Sequence, residues 1–296
     1  VGRGVLSALG IDFDLQPGDV AARANFATLC QEGKVLDRRA GRIGTELNQQ
    51  LVQKIRDQVT LDFGGTFFFE TVSEHRAVLV LRGDGLSGAL QDTDPQNTGV
   101  PPQDAKATRE AGKKTALLVQ SFLRQVHKVL ADESPANGLL LRGFERFEPL
   151  PSLHERFALK GVCIADYPMY RGVSRLIGMD VVPRPGGLQQ RFEALESLYG
   201  NEYDFYFVHV KKTDSLGEDA DFDSKVAKLE HVDKLLPQVT DLNPDVLVVT
   251  ADHSTPAVMG RHSWHPVPVM LKGKYARVDD VERFDDYACA KGMLGL

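Results

Sequence analysis

Residues 245–255, DVLVVTADHST, decide how this chain is read. Val246, Leu247, Val248 and Val249 form a continuous apolar, mostly β-branched run, the composition of a strand covered on both faces. The run ends at Asp252 and His253. A carboxylate and an imidazole do not belong in a core, and both ligate metals. In open α/β sheets functional groups collect just beyond the carboxyl ends of strands.

Working outward, GVCIAD (161–166), YDFYFVHV (203–210) and PVPVMLKG (266–273) read as further strands. Between them Phe222, Val226, Leu229, Val232 or Asp233, Leu236 and Val239 recur at helical spacing, with Asp219 and Asp221 at the positive end of the predicted helix. Apolar strands alternating with helices predict an α/β core with a mostly parallel sheet flanked by helices. Residues 15–150 read differently. Strands are expected at 19–29, 75–83 and 137–147, and helices at 46–60 and about 105–132. A long Gly-, Pro- and Asp-rich loop at 83–103 separates them, a length that usually marks a functional or mobile segment. This stretch is expected to be a smaller α/β domain.

The bulk numbers exclude several classes. The 296 residues are 42% hydrophobic, enough for two cores. A net charge of -6 argues against a nucleic-acid binder. No apolar run reaches the length of a membrane span. Cys30, Cys163 and Cys289 are too few and too scattered for a disulfide framework or a zinc ribbon, which suits the cytoplasm.

Three loops carry the candidate chemistry. Asp252 and His253 follow one strand, Asp214 and Glu218 follow the strand at 203–210 in KKTDSLGEDADF, and His262 and His265 lie in GRHSWHPVPVML. Singly, each has a plain structural reading as a cap, a solvated loop or a surface histidine. Together at one sheet edge they form a mixed oxygen and nitrogen ligand set, better suited to Mn²⁺ or Zn²⁺ than to Ca²⁺.

In that order, KKTDSLGED, TADHSTP and RHSWHPVPV resemble the cofactor-independent phosphoglycerate mutases of the archaeal type, within the alkaline phosphatase superfamily. GRGVLSALGIDFDLQPGDVAARANFATL with DRRAGRI resembles the passage into that family's inserted domain. NGLLLRGF and GVCIADYPMYRGVSRLIGMDVV resemble the return. The resemblance implies an alkaline-phosphatase-like core from residues 1–14 and 151–296 with a substrate-binding insert at 15–150. It implies two divalent cations, Mn most readily with Zn or Mg as alternatives, and no 2,3-bisphosphoglycerate. The implied ligands are Asp252 and His253 for one cation and Asp214, His262 and Glu218 for the other. Glu218 stands where the family usually has His, and His265 stands where an acidic residue is common, so His265 is expected outside the ligand set.

The resemblance also implies that Arg142 touches substrate and that Arg171 is a catalytic basic group near the cations. Arg39, Arg42, Arg76 and Arg82 are expected on the insert's substrate-facing side. The family's attacking Ser has no counterpart here, so the nucleophile is expected outside this chain and the chain alone is expected to be inactive. The implied function is interconversion of 2- and 3-phosphoglycerate in glycolysis, with a small phosphorylated metabolite as partner and neither nucleic acid nor membrane, the oligomeric state being left open. A related phosphotransferase or phosphatase on another metabolite, or a non-catalytic relative, shares the same motifs.

Overall fold

The computed structural model describes residues 1–294, which divide into two compact units. The first holds Val1–Gly161 and Tyr167–Val181; the second holds Val162–Asp166 and the chain from Val182 onward. In chain order the helices are α1 (Arg3–Gly10), α2 (Thr45–Gln58), α3 (Lys113–Val129), α4 (Leu153–Phe157), α5 (Pro168–Leu176), α6 (Leu188–Leu198), α7 (Lys212–Glu218), α8 (Phe222–Thr240) and α9 (Asp286–Cys289). The strands are β1 (Val20–Leu29), β2 (Val35–Asp37), β3 (Thr66–Ser73), β4 (Arg76–Arg82), β5 (Gly138–Arg146), β6 (Gly161–Ile164), β7 (Asp180–Val181), β8 (Phe205–Val208), β9 (Val246–Val249) and β10 (Met270–Gly273).

The first unit is built on β1. It pairs antiparallel with β4 along one edge and with β5 along the other, and β3 extends the sheet beyond β4. Val20, Ala22, Ala24 and Phe26 point to one face, where Phe69, Leu79 and Leu141 meet Leu51 and Ile55 of α2 and Val119, Phe122 and Val126 of α3. Ala21, Val78 and Val80 point to the other, against Val5, Ala8 and Leu9 of α1. Burying each large side chain here contributes about 1.5–3 kcal/mol. α1 lies so close that any Cβ at Gly4 would collide with the backbone of Ala21 and Ala22. α5 packs behind α1, and the units therefore group residues 1–14 and 167–181 with the antiparallel sheet, a division that follows packing rather than the expected insert boundaries.

The long loop is anchored. Thr93 N–H donates to Leu141 O at 2.8 Å, Leu141 N–H donates to Thr93 Oγ1 at 2.8 Å, and Gly143 N–H donates to Asp92 Oδ1 at 2.7 Å. Residues 92–94 thus pair with the edge of β5 that β1 leaves free. Asp94, almost fully buried, receives a two-pronged bond from Arg38 at 2.8 and 2.7 Å. Burial alone would raise its carboxyl, but the bonds from Arg38 and Gln96 N–H outweigh that and hold it below the usual range. The expected helix from 105 begins only at Lys113. Its first third is drawn out by the bridge of Ala107 to Leu90 and by Gln91 N–H donating to Lys106 O at 2.8 Å.

In the second unit β6 is hydrogen-bonded to β8, and β9 pairs antiparallel with β10, Val249 opposite Met270. Leu188 and Phe192 of α6 pack on Leu235 of α8, with Val210, Val232 and Val239 around them. The predicted strands at 203–210 and 266–273 shrink to four residues each, because their ends turn into the loops that carry polar groups, while the apolar run Val246–Val249 is β9 itself.

Candidate metal centre

Three loops of the second unit converge. Asp214 comes from the first turn of α7, His253 from the turn after β9, and His262 from the loop before β10. One ligand atom from each lies within 4.8 Å of the others. His262 Nε2 stands 3.3 Å from Asp214 Oδ1 and 3.5 Å from Glu218 Oε1; His253 Nε2 stands 3.4 Å from Asp252 Oδ2. The two imidazoles stack at 3.9 Å between centroids. These are the separations of donors that share cations at about 2.0–2.2 Å each.

The supporting contacts sort the donors. Thr255 is buried, and its hydroxyl donates to Asp214 Oδ1 at 2.6 Å. A hydroxyl has one proton, so at 3.1 Å it accepts from His253 Nδ1–H. That bond assigns the tautomer and leaves the Nε2 lone pair beside Asp252 free for a metal. Asp214 is also held by the Lys211 ammonium. Partial burial would raise the Asp214 carboxyl, but the bonds from Lys211 and Thr255 and the Lys211 charge overcome it, so the carboxyl sits below the usual range and is ionised at neutral pH. Lys225 Nζ donates to Thr255 O at 2.6 Å and fixes the same turn. Gly217 permits that approach, since a Cβ there would strike Thr255 O. Near the cluster, burial pushes His209 down to about 4 against the opposing charge of Asp252, leaving a neutral ring.

All five expected ligands therefore fall in this region: Asp214, His253 and His262 at its heart, Asp252 against His253, and Glu218 against His262. His265 turns to Ser263 Oγ at 2.8 Å and stacks on Trp264. The motif reading missed Thr255, Lys211 and Lys225. A hydroxyl-bearing residue two positions after the histidine was the available signal for the first.

The arginines lie in the first unit. Arg142 is 3.6 Å from Asp94 and Arg76 is 3.7 Å from Glu74, both loose pairs. Arg39 and Arg42 flank a tight turn at 39–42 whose Arg39 and Gly41 N–H groups donate to the Asp37 carboxylate at 2.8 and 2.6 Å. Arg82 is committed to the buried Asp19 by a fork at 2.9 and 2.7 Å. Arg171 is 1% exposed. It donates to Gly10 O at 3.3 Å and to Asp12 at 3.1 and 3.2 Å.

The profile of the family described as 2,3-bisphosphoglycerate-independent phosphoglycerate mutase matches residues 1–137, and that of the metalloenzyme superfamily matches residues 82–295. A Thermus thermophilus protein named "Probable 2,3-bisphosphoglycerate-independent phosphoglycerate mutase" is 49% identical over all of this chain and 73% of its own length. A Deinococcus radiodurans protein of the same name is 45% identical with the same coverage. Among solved structures, a cofactor-independent phosphoglycerate mutase of Thermoplasma acidophilum is 31% identical, with TM-score 0.66 over 99% of this chain and 77% of its own. A Pyrococcus horikoshii protein is 25% identical, with TM-score 0.78 over 99% of this chain and 74% of its own. The α/β fold is the alkaline-phosphatase-like fold of these mutases, and the chain belongs to the 2,3-bisphosphoglycerate-independent phosphoglycerate mutase family.

Proposed function

We propose that this chain serves a metal-dependent phosphoglycerate mutase of cytoplasmic glycolysis, interconverting 2- and 3-phosphoglycerate through a phosphoserine without 2,3-bisphosphoglycerate. The observation that carries the reading is the convergence of Asp214, His253 and His262 from three loops onto one point. Their donors divide naturally into two groups: Asp252 with His253 Nε2, and Asp214 with His262 and, farther out, Glu218. That division suits two divalent cations, and the mixed carboxylate and imidazole donors suit Mn²⁺ ahead of Zn²⁺ or Mg²⁺. When bound, such ions neutralise charge on a transferring phosphoryl group and stabilise the attacking and leaving oxygens.

The chain's own residues do the rest. Thr255 and Lys211 keep Asp214 ionised and aimed. The arginines of the first unit, Arg39, Arg42, Arg76 and Arg142, supply the charge that a phosphate and a carboxylate on one small metabolite require. Arg171, buried on Asp12, acts by holding its segment and enters the chemistry only if that pair opens. Substrate binding belongs to the sheet domain at 15–150 and metal binding to the core.

The attacking serine lies outside residues 1–296 in this reading. The test supplies the chain with Mn²⁺ and 3-phosphoglycerate, alone and with the quarter of the Thermus thermophilus relative that lies outside the match. The expected result is Mn²⁺ binding by the chain alone, and 2-phosphoglycerate formed only when the second piece is present. Turnover by the chain alone would place the nucleophile within it; no Mn²⁺ binding in either case would overturn the metal reading.

A further inference from the structure

The first unit holds a cluster of charge that metal chemistry does not use. Side chains alternate along a strand, so Arg23 and Asn25 of β1 share the face that α1 covers. Cross-strand partners share that face too: Arg142 lies opposite Arg23 and Arg76 opposite Asn25. Burial, joined by the charges of Arg76, Arg3 and Arg142 and partly opposed by Tyr167, pushes Arg23 down to about 10. Among the described residues the Arg23 side chain makes one hydrogen bond, from Nε to Ser7 Oγ at 3.0 Å, and Ser7 donates onward to Arg3 O at 2.7 Å. No carboxylate among the described residues pairs with Arg23, while Arg142 and Arg76 reach theirs only at 3.6 and 3.7 Å.

Asn25, 9% exposed, is the second observation: its Oδ1 is buried with no hydrogen-bond partner among the described residues. Such an oxygen is destabilising unless something donates to it. None of the neighbouring guanidinium groups donates to it among the described residues, while their positive charge attracts an anion, so a ligand that carries both an anionic group and a donor would satisfy this face. A carboxylate and an ionised phosphate accept only; a hydroxyl on the same molecule donates.

We propose that Arg23, Asn25, Arg76 and Arg142 form a pocket for a phosphorylated hydroxy acid, the guanidinium groups holding its anionic ends and Asn25 Oδ1 accepting a hydrogen bond from its free hydroxyl. Arg76 and Arg142 were expected to face substrate; Arg23 and Asn25 are the new members, and Asn25 determines specificity. The proposal rests on the mutase reading and names the group by which that substrate is told from its deoxy analogue. A site built around a substrate hydroxyl rejects the analogue that lacks it, because its own polar atom is then left unpaired.

The test is calorimetric titration of the full chain in chelator, without divalent cation, using 3-phosphoglycerate, 3-(phosphonooxy)propanoate (the same molecule without the hydroxyl) and inorganic phosphate. The wild type is expected to bind 3-phosphoglycerate at least about tenfold more tightly than 3-(phosphonooxy)propanoate. Asn25→Leu should erase that ratio by weakening 3-phosphoglycerate alone, and Arg23→Met should weaken all probes. Equal affinities in the wild type, or a ratio that survives Asn25→Leu, overturns the proposal; the wild-type ratio decides even if a variant fails to fold. Hydroxyl preference with no 2-phosphoglycerate formed even when Mn²⁺ and the complementary piece of the Thermus thermophilus relative are supplied would overturn the proposed function and leave this pocket standing. Turnover with equal affinities would do the reverse.

Discussion

β1 and β9 are both apolar runs, yet one is sealed and the other open. Val20, Ala22, Ala24 and Phe26 are 0–1% exposed, whereas Val246 and Val248 are 61% and 52% exposed. β1 has a strand on each edge and helices on each face. β9 has one antiparallel partner among the described residues, and that partner, through Met270 and Leu271, is itself exposed. A run of apolar residues therefore reports what a strand is able to bury, and its neighbours decide what it does bury. The first unit draws its stability from packing. The second concentrates its determinants in polar contacts at the strand ends, where Thr255, Lys211 and Lys225 organise Asp214 and His253.

The largest effect that would break this comparison is a cavity. Phe122→Ala, in the sealed core, is expected to cost about 3–5 kcal/mol in denaturant unfolding, while Val248→Ala should cost under about 1 kcal/mol. Similar losses at both positions would mean that β9 is as well packed as β1.

Acid should act on the first unit next. His75 is buried, and desolvation with the charges of Arg76, Arg39 and Arg42, partly opposed by Asp37, pushes it down to about 4 from 6.5. The unfolded chain binds that proton more tightly, so the contribution is complete above pH 6.5 and is lost as pH falls from there toward 4. It amounts to about 3 kcal/mol. His75→Gln should flatten the stability profile across that window; an unchanged slope would contradict the burial argument.

The smallest expected effect sharpens the polar half. Thr255→Val removes the donor to Asp214 and the acceptor for His253 Nδ1, and should weaken Mn²⁺ binding about tenfold while leaving the unfolding of the first unit unchanged. Full affinity in that variant would show that the threonine does not orient the ligands.

Much of this was legible in the sequence because local rules were sufficient. The stripe of Leu51 and Ile55 gave α2, and the strand expected at 19–29 is β1. The ligand residues were legible because each group follows a strand end, although among the described residues β8 before Asp214 and β9 before Asp252 belong to separate sheets rather than to the one sheet edge expected. What stayed hidden depended on long-range pairing. β3, TFFFETVS, mixes aromatic and polar residues without a clean period and is specified by its register on β4. The start of α3 is set by the bridge from Ala107 to Leu90, and the anchoring of the long loop by Thr93 on Leu141. Arg23 and Asn25 look like polar interruptions of an apolar strand until the register places Arg142 and Arg76 opposite them.

The most direct test of the account is an electron paramagnetic resonance titration of Mn²⁺ into the wild-type chain and into Asp214→Ala, His253→Ala and His262→Ala. The three-loop centre predicts saturable binding by the wild type and a loss of at least about tenfold in each variant. Unchanged affinity in all three would show that these side chains, close as they are, do not hold the ion.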